Sequence, residues 1–239
     1  MKKCLLLLVL IPMVGFSQTK NVLSVERIFA KADKAAELEK ALAAHSQKYH
    51  TGNWKWRVSQ IDSGPEAGGY AIAEGPNSWT DLDSRGNLGA EHMTDWTKNV
   101  MPLTTGTAAN AYMVLREDLS SVQLTDYADK ISVTHVYPKV GWTNKIEARL
   151  KKAKKVWETS GESVAVYQAH FSGEPQFMIV YRHKQGLKEK EANFRKPFME
   201  RYTEIHGEGS FDEYLESVQK YVDKTWGEML SFRADLSSK

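Results

Sequence analysis

Cysteine is nearly absent. The chain carries one, Cys4, placed ahead of the apolar run at 5–14, where a lipid-anchoring cysteine would have to follow it. Disulfide frameworks, thiolate catalysis and a lipoprotein anchor are therefore not expected. Long apolar runs are absent too. The run at 5–14 is too short to span a bilayer, but it follows Lys2 and Lys3 and ends in Gly15-Phe16-Ser17. A basic start, an apolar middle and small residues at −3 and −1 predict a signal peptide over 1–17, cut before Gln18. The expected destination is periplasmic or secreted, with no membrane anchor. A charge excess is missing as well: 32 basic residues stand against 30 acidic, and loss of Lys2 and Lys3 leaves 30 of each. No long-range field steers nucleic acid or anionic membrane toward such a chain. The sequence has no His-x-His, no His-Glu-x-x-His and no cysteine pair, so no metal site is expected from motif. It has no nucleophile elbow and no phosphate-cradling glycine pattern.

What is present is one design written twice. Leu23-Ser24-Val25 reads again as Ile131-Ser132-Val133, about 108 positions on. The stripe Leu38, Leu42, His45, Tyr49 reads again as Ile146, Leu150, Ala153, Trp157. Gln60 falls on Gln168. Arg116-Glu-Asp118-Leu119-Ser120-Ser121 returns as Arg233-Ala-Asp235-Leu236-Ser237-Ser238. Two units follow, over 18–122 and 130–239, joined by a linker at 123–129.

Periodicity gives each unit the order β-α-β-β-α-β. In the first, strands are expected over 22–29, 54–62, 69–74 and 109–115. Helices carry the Leu38 stripe and the Met93, Trp96, Val100, Leu103 stripe, with Asp33 placed to cap the first. In the second, strands are expected over 131–137, 163–171, 176–182 and 229–234, with helices from Thr143 and, interrupted at 206–209, from about Leu187 to Val222. The class is α+β: two tandem ferredoxin-like units. Each leaves one face of its sheet bare, and bare apolar sheet must be covered. Two such faces can close on each other as an eight-strand barrel, a monomer with an internal pseudo-dimer.

In element order and repeat the chain resembles the dimeric α/β-barrel superfamily of antibiotic-biosynthesis monooxygenase-like and stress-responsive barrel proteins. The third strand, Tyr70-Ala-Ile72-Ala-Glu74 with Trp79 beyond it, is similar to the monooxygenase-like pattern. The second unit departs from it, with Arg182 aligned on Glu74. The resemblance also implies a haem-degrading alternative, for which Asn21, Trp79 and His92 fall in the regions where such relatives hold an Asn, a Trp and a His.

Candidate ligand-binding residues are those where the copies differ or stay polar: Arg27 with His135, Glu74, Gln60 with Gln168, and Trp56. Asp62 and His170 are the candidate catalytic pair, His170 as a base near neutral pH. The second strand presents Trp56, Val58, Gln60 and Asp62 on one side. If that side lines the barrel, few polar groups converge in an apolar cavity, as in ligand sites. His45, in an apolar stripe, reads as a satisfied, partly buried histidine, not a ligand. Three functions stay open: binding of a small apolar or aromatic ligand between the units without a cofactor, a cofactor-free or haem-degrading monooxygenase, and a solid structural or interaction barrel. Whether the chain is an enzyme is left undecided by the sequence.

Overall fold

The computed structural model describes residues 19–106, 109–122 and 125–239. The signal segment, Cys4 and the first two residues of the linker lie outside that range. Eight antiparallel strands close into a barrel: β1 (Val22–Ile28), β2 (Trp56–Ser63), β3 (Tyr70–Asn77), β4 (Ala109–Leu115), β5 (Lys130–Pro138), β6 (Val164–His170), β7 (Phe177–Arg182) and β8 (Val222–Phe232). Their order round the ring is β1-β3-β2-β8-β5-β7-β6-β4. The first four strands form one arc and the last four another. Pairing of β2 with β8 and of β4 with β6 seals the two joins.

Alternation along the strands makes two environments. Inward positions build a barrel core from both arcs, with Ile61, Ala71, Met113 and Leu115 meeting Val133, Ala165, Tyr167, Val180 and Leu230. Outward positions are covered by helices. Helix α1 (Ala35–Tyr49) buries Leu38 and Leu42 on Trp56, Val58, Tyr70 and Ile72. Helix α4 (Thr143–Thr159) buries Ile146, Leu150, Ala153 and Trp157 on Val164, Val166, Phe177 and Ile179. Each fully buried leucine of these stripes is worth about 1.5–3 kcal/mol. Neither helix uses its expected cap: Asp33 sits at φ 63, and Thr143 is already the first helical residue, after Trp142.

The segment after β3 is more ordered than its broken pattern suggests. Gly75 stands at φ 124, and a Cβ there would lie 2.8 Å from the Val22 carbonyl oxygen, so only glycine makes this bend. Ser78 then opens α2 (Trp79–Ser84) with a capping box to Asp81. Helix α3 (Ala90–Asp95) follows and continues through a wider turn at Trp96–Val100. In the second arc α5 (Phe198–His206) and α6 (Ser210–Tyr221) take this place. The last strand starts directly at Val222, seven residues before its expected beginning.

The repeated Arg-x-Asp-Leu-Ser-Ser motif is a pair of clasps, each reaching across a join. Arg116, after β4, donates to Glu147 on α4 and Gln168 on β6, each at 2.6 Å, and to its own Asp118. Arg233, after β8, donates to Glu39 on α1 at 2.7 Å, Gln60 on β2 at 3.2 Å, and Asp235. Ser120 Oγ accepts from the Val166 amide, and Ser237 Oγ from the Val58 amide. The two arcs hold each other by the same contacts in both directions.

Candidate functional site

The barrel interior is close to full. Its cavities are small: one of about 120 Å³, walled by Leu23, Val25, Ala71, Ile131 and Val180, and one of about 160 Å³ lined by Arg27, Met113, His135 and Trp226. Both are below the ~300–1,000 Å³ of sites for drug-sized ligands. The face carrying Trp56, Val58 and Gln60 points outward to the helices, because Arg57, Ser59 and Ile61 take the inward positions. Gln60 and Gln168 therefore serve the clasps instead of a barrel cavity. Asp62 is exposed beside Lys130 and Ser231. His170 stands on β6, four strands away from β2 on either path round the ring, with Trp79 at 6.2 Å. Asp62 and His170 cannot form a catalytic pair.

Arg27 and His135 do come together. Both donate to Glu228, whose carboxylate is fully buried: Arg27 Nη1 lies at 2.9 Å and His135 Nε2 at 2.8 Å. Trp226 stacks on His135 with centroids 3.7 Å apart. Glu228 went unnoticed in the sequence because its strand was expected to begin one residue later.

Another concave site lies outside the barrel wall, between the first arc and α2–α3. It measures about 270 Å³. Strands β1 and β4 supply Ser24, Glu26, Asn110 and Tyr112; β2 and β3 supply Trp56, Ile72 and Glu74; the helical side supplies Leu82, Arg85, His92, Met93 and Trp96. Glu74 is its electrostatic anchor. The carboxylate receives Arg85 through Nε at 2.7 Å and Nη2 at 2.9 Å, the Trp56 indole at 2.9 Å and His50 Nδ1 at 3.0 Å. Burial alone would raise its pKa; the His50 and Arg85 hydrogen bonds, the Arg85 charge and Trp56 outweigh it and hold Glu74 down to about 2. Glu26 goes the other way. Burial and the negative Glu74 push its carboxyl up against the pull of Arg85.

Behind this wall three histidines meet in the core. His45, His50 and His92 are all buried, and a ring nitrogen of each lies within 4.8 Å of the others. His92 Nε2 is 3.2 Å from His50 Nε2, and His45 Nδ1 is 2.7 Å from Asp95 Oδ2. Among the described residues, His45 Nε2 and His92 Nδ1 are buried without a hydrogen-bond partner, each at a cost of about 1–3 kcal/mol. Burial drives His45 down to about 4, despite the pull of Asp95, with His50 and His92 adding to the fall. Burial lowers His50 and His92 as well. His45 is fully buried, not partly buried and satisfied as expected.

The second arc has nothing comparable. Ala153 stands for His45, and pairing of Val164 with Tyr181 matches that of Trp56 with Glu74. Tyr181, not Arg182, is thus the counterpart of Glu74. Counted between paired residues, the β6–β7 hairpin (Gln168 to Phe177) is one residue shorter than the β2–β3 hairpin (Gln60 to Tyr70), which turns Arg182 to the inner face. Spacing along the chain could not reveal that single-residue slip. A countable signal did exist: three histidines precede residue 93, and the second unit repeats none of them at the 108-residue offset.

The haem set is not assembled. Of Asn21, Trp79 and His92, only His92 lines the pocket. Asn21 precedes β1 and uses its carbonyl on the Leu115 amide; Trp79 is 42% exposed against Tyr112 and Phe171. His92 Nε2 is turned to His50, not into the pocket, and a space of about 270 Å³ is small for a macrocycle. These residues do not fit haem.

No family model and no curated protein matches the chain. Solved structures do. A presumed monooxygenase from Lactobacillus acidophilus superposes with a TM-score of 0.52 at 13% identity, over 92% of this chain and 96% of that one. An anthrone oxidase-like protein gives 0.54 at 12%, over 90% and 92%. A variant chlorite dismutase from Candidatus Nitrospira defluvii gives 0.53 at 7%, over 91% and 93%. At such identities the likeness is one of fold: the chain shares the ferredoxin-like α/β-barrel architecture of these proteins.

Proposed function

We propose that the chain is a monooxygenase-like protein built from two copies of one ferredoxin-like unit, and that only the first copy works. Its substrate is a small, flat, weakly acidic aromatic molecule held in the pocket over Glu26. The observation that carries this is Glu26 itself. It is a carboxyl with no hydrogen bond from any described residue, raised by burial and by Glu74, at the floor of an aromatic-walled cleft. A raised carboxyl in a cleft suits general-base work near neutral pH. Trp56 and Trp96, edge to face with centroids 5.9 Å apart, offer ring surfaces. Asn110 and Tyr112 offer polar contacts at the mouth.

Glu26 would take a proton from an activated methylene, leaving a carbanion. Dioxygen is the co-reactant. It forms a new C–O bond, its O–O bond breaks, and the methylene leaves as a carbonyl with one water formed. The four electrons lost by carbon reduce both oxygen atoms. Anthrone has such a methylene and is the probe. It should quench tryptophan fluorescence and drive oxygen uptake. Glu26→Gln should retain quenching and lose roughly 10²–10⁴ in rate. No quenching, or an undiminished rate in Glu26→Gln, would overturn the reading. Export belongs to the same proposal; a native amino terminus beginning elsewhere than Gln18 counts against it.

A further inference from the structure

The geometry points to a transition-metal site at His45, His50 and His92, a three-imidazole centre for a zinc-like divalent ion in the core of the first unit. Three observations support it. The rings converge from separate elements, His45 from α1, His50 just beyond its end and His92 from α3. Two carry a carboxylate at Nδ1, Asp95 on His45 and Glu74 on His50. In a neutral ring whose Nδ1–H is donated, Nε2 is left as a lone pair. The His45 Nε2 lone pair is fully buried and finds no donor among the described residues.

Carboxylate-fixed imidazoles with free Nε2 atoms are how proteins present histidine to zinc. A core histidine kept for packing alone would have both nitrogens satisfied or be an apolar residue, as Ala153 is in the other unit. The His50–His92 separation of 3.2 Å is close to the spacing of two nitrogens sharing one ion at 2.0–2.1 Å in a tetrahedron. The third ring needs a small approach, within the 4.8 Å that now spans the group. Three protein ligands leave a fourth position open, as in zinc sites that bind water or substrate. His92 is at once a member of this set and a wall of the Glu26 pocket, so the open position would border it. Neutral nitrogen donors suit zinc, copper, nickel or cobalt and disfavour magnesium and calcium.

The test uses the whole chain stripped with chelator. Zinc alone is titrated against a chromogenic competitor, and Co²⁺ is read by its visible absorption. One ion per chain should bind, with the intense bands of four- or five-coordinate cobalt. His45→Gln, His50→Gln and His92→Gln should each abolish those bands. Asp95→Asn, which keeps all three ligands, should weaken binding roughly 10–100-fold. His206→Gln, half-buried on α5 and outside the cluster, should leave binding unchanged and serves as the control. If a histidine variant fails to fold, Asp95→Asn decides. Affinity equal to wild type in that variant, weak six-coordinate cobalt bands, or loss of binding in His206→Gln overturns the site. The readout is metal alone, so its failure leaves the Glu26 reading standing, and failure with anthrone leaves the metal site standing.

Discussion

Glu228 shows what one residue can hold. Its carboxylate joins Arg27 from the first unit to His135 from the second, at barrel-facing positions. Burial would raise the Glu228 carboxyl; the Arg27 and His135 hydrogen bonds outweigh that and hold it below the ordinary 4.5. A depressed carboxylate adds stability that is fully present above 4.5 and is lost as pH falls through the lower, folded-state value. Glu228→Gln should therefore flatten the acid limb of a stability-versus-pH curve below about 4.5. It should also cost about 3–5 kcal/mol at neutral pH, because Arg27 stays buried with its main partner gone. Urea melts across pH measure both; an unchanged acid limb would remove the triad from the account. Arg27 and His135 were legible as a pair because the repeat aligns them. Their meeting point was not, since an acid three strands away in the ring leaves no mark on spacing. The three histidines could be counted, but their meeting was illegible for a related reason. Metal motifs are local in sequence, whereas this cluster is assembled by an α1 end and an α3 face 42 residues apart.

At the level of elements, the α+β class and the eight strands were legible, and the role of the closing motif only in part. The closing motif looked like punctuation, and the structure makes it a reciprocal clasp. Ser120 and Ser237 each take a strand amide from the opposite unit, and each donates to the carbonyl of its own arginine, at 2.7 and 2.8 Å. Ser237→Ala leaves the buried Val58 amide without an acceptor and should cost about 1–3 kcal/mol. Ser120→Ala should do the same to Val166. The two sites lie at opposite joins, so the double variant should show the sum within about 0.5 kcal/mol. Denaturant midpoints of the four proteins give the answer, and a double variant no worse than either single one would deny that the clasps are separate. The strand faces were harder to read. Alternation in β2 and β6 showed two faces but not which one met the helices, because both are apolar enough to be buried. The one-residue slip in β7 then exchanged Tyr181 for Arg182, and with it the apparent counterpart of Glu74.

For the whole molecule, the consequence of closure is cooperativity. Neither arc owns its core: Ile61, Met113 and Leu115 pack in one cluster with Val133, Ala165 and Leu230. Each helix layer takes one residue from the other unit, Leu236 under α1 and Leu119 under α4; the barrel layer is shared throughout, and removing one arc would bare the inner face of the other. Damage to the shared layer should therefore be felt by both units. Met113 is fully buried on β4. Met113→Ala should destabilise by about 2–5 kcal/mol, as large-to-small core changes do. Hydrogen exchange followed by mass spectrometry locates the effect. If the barrel is one cooperative unit, the protection lost in peptides from β5, β6 and β7 should equal that lost in β1, β2 and β3. A loss confined to the first arc would mean that the halves unfold separately, and that the clasps and the Arg27–Glu228–His135 triad join two independent domains instead of closing one core.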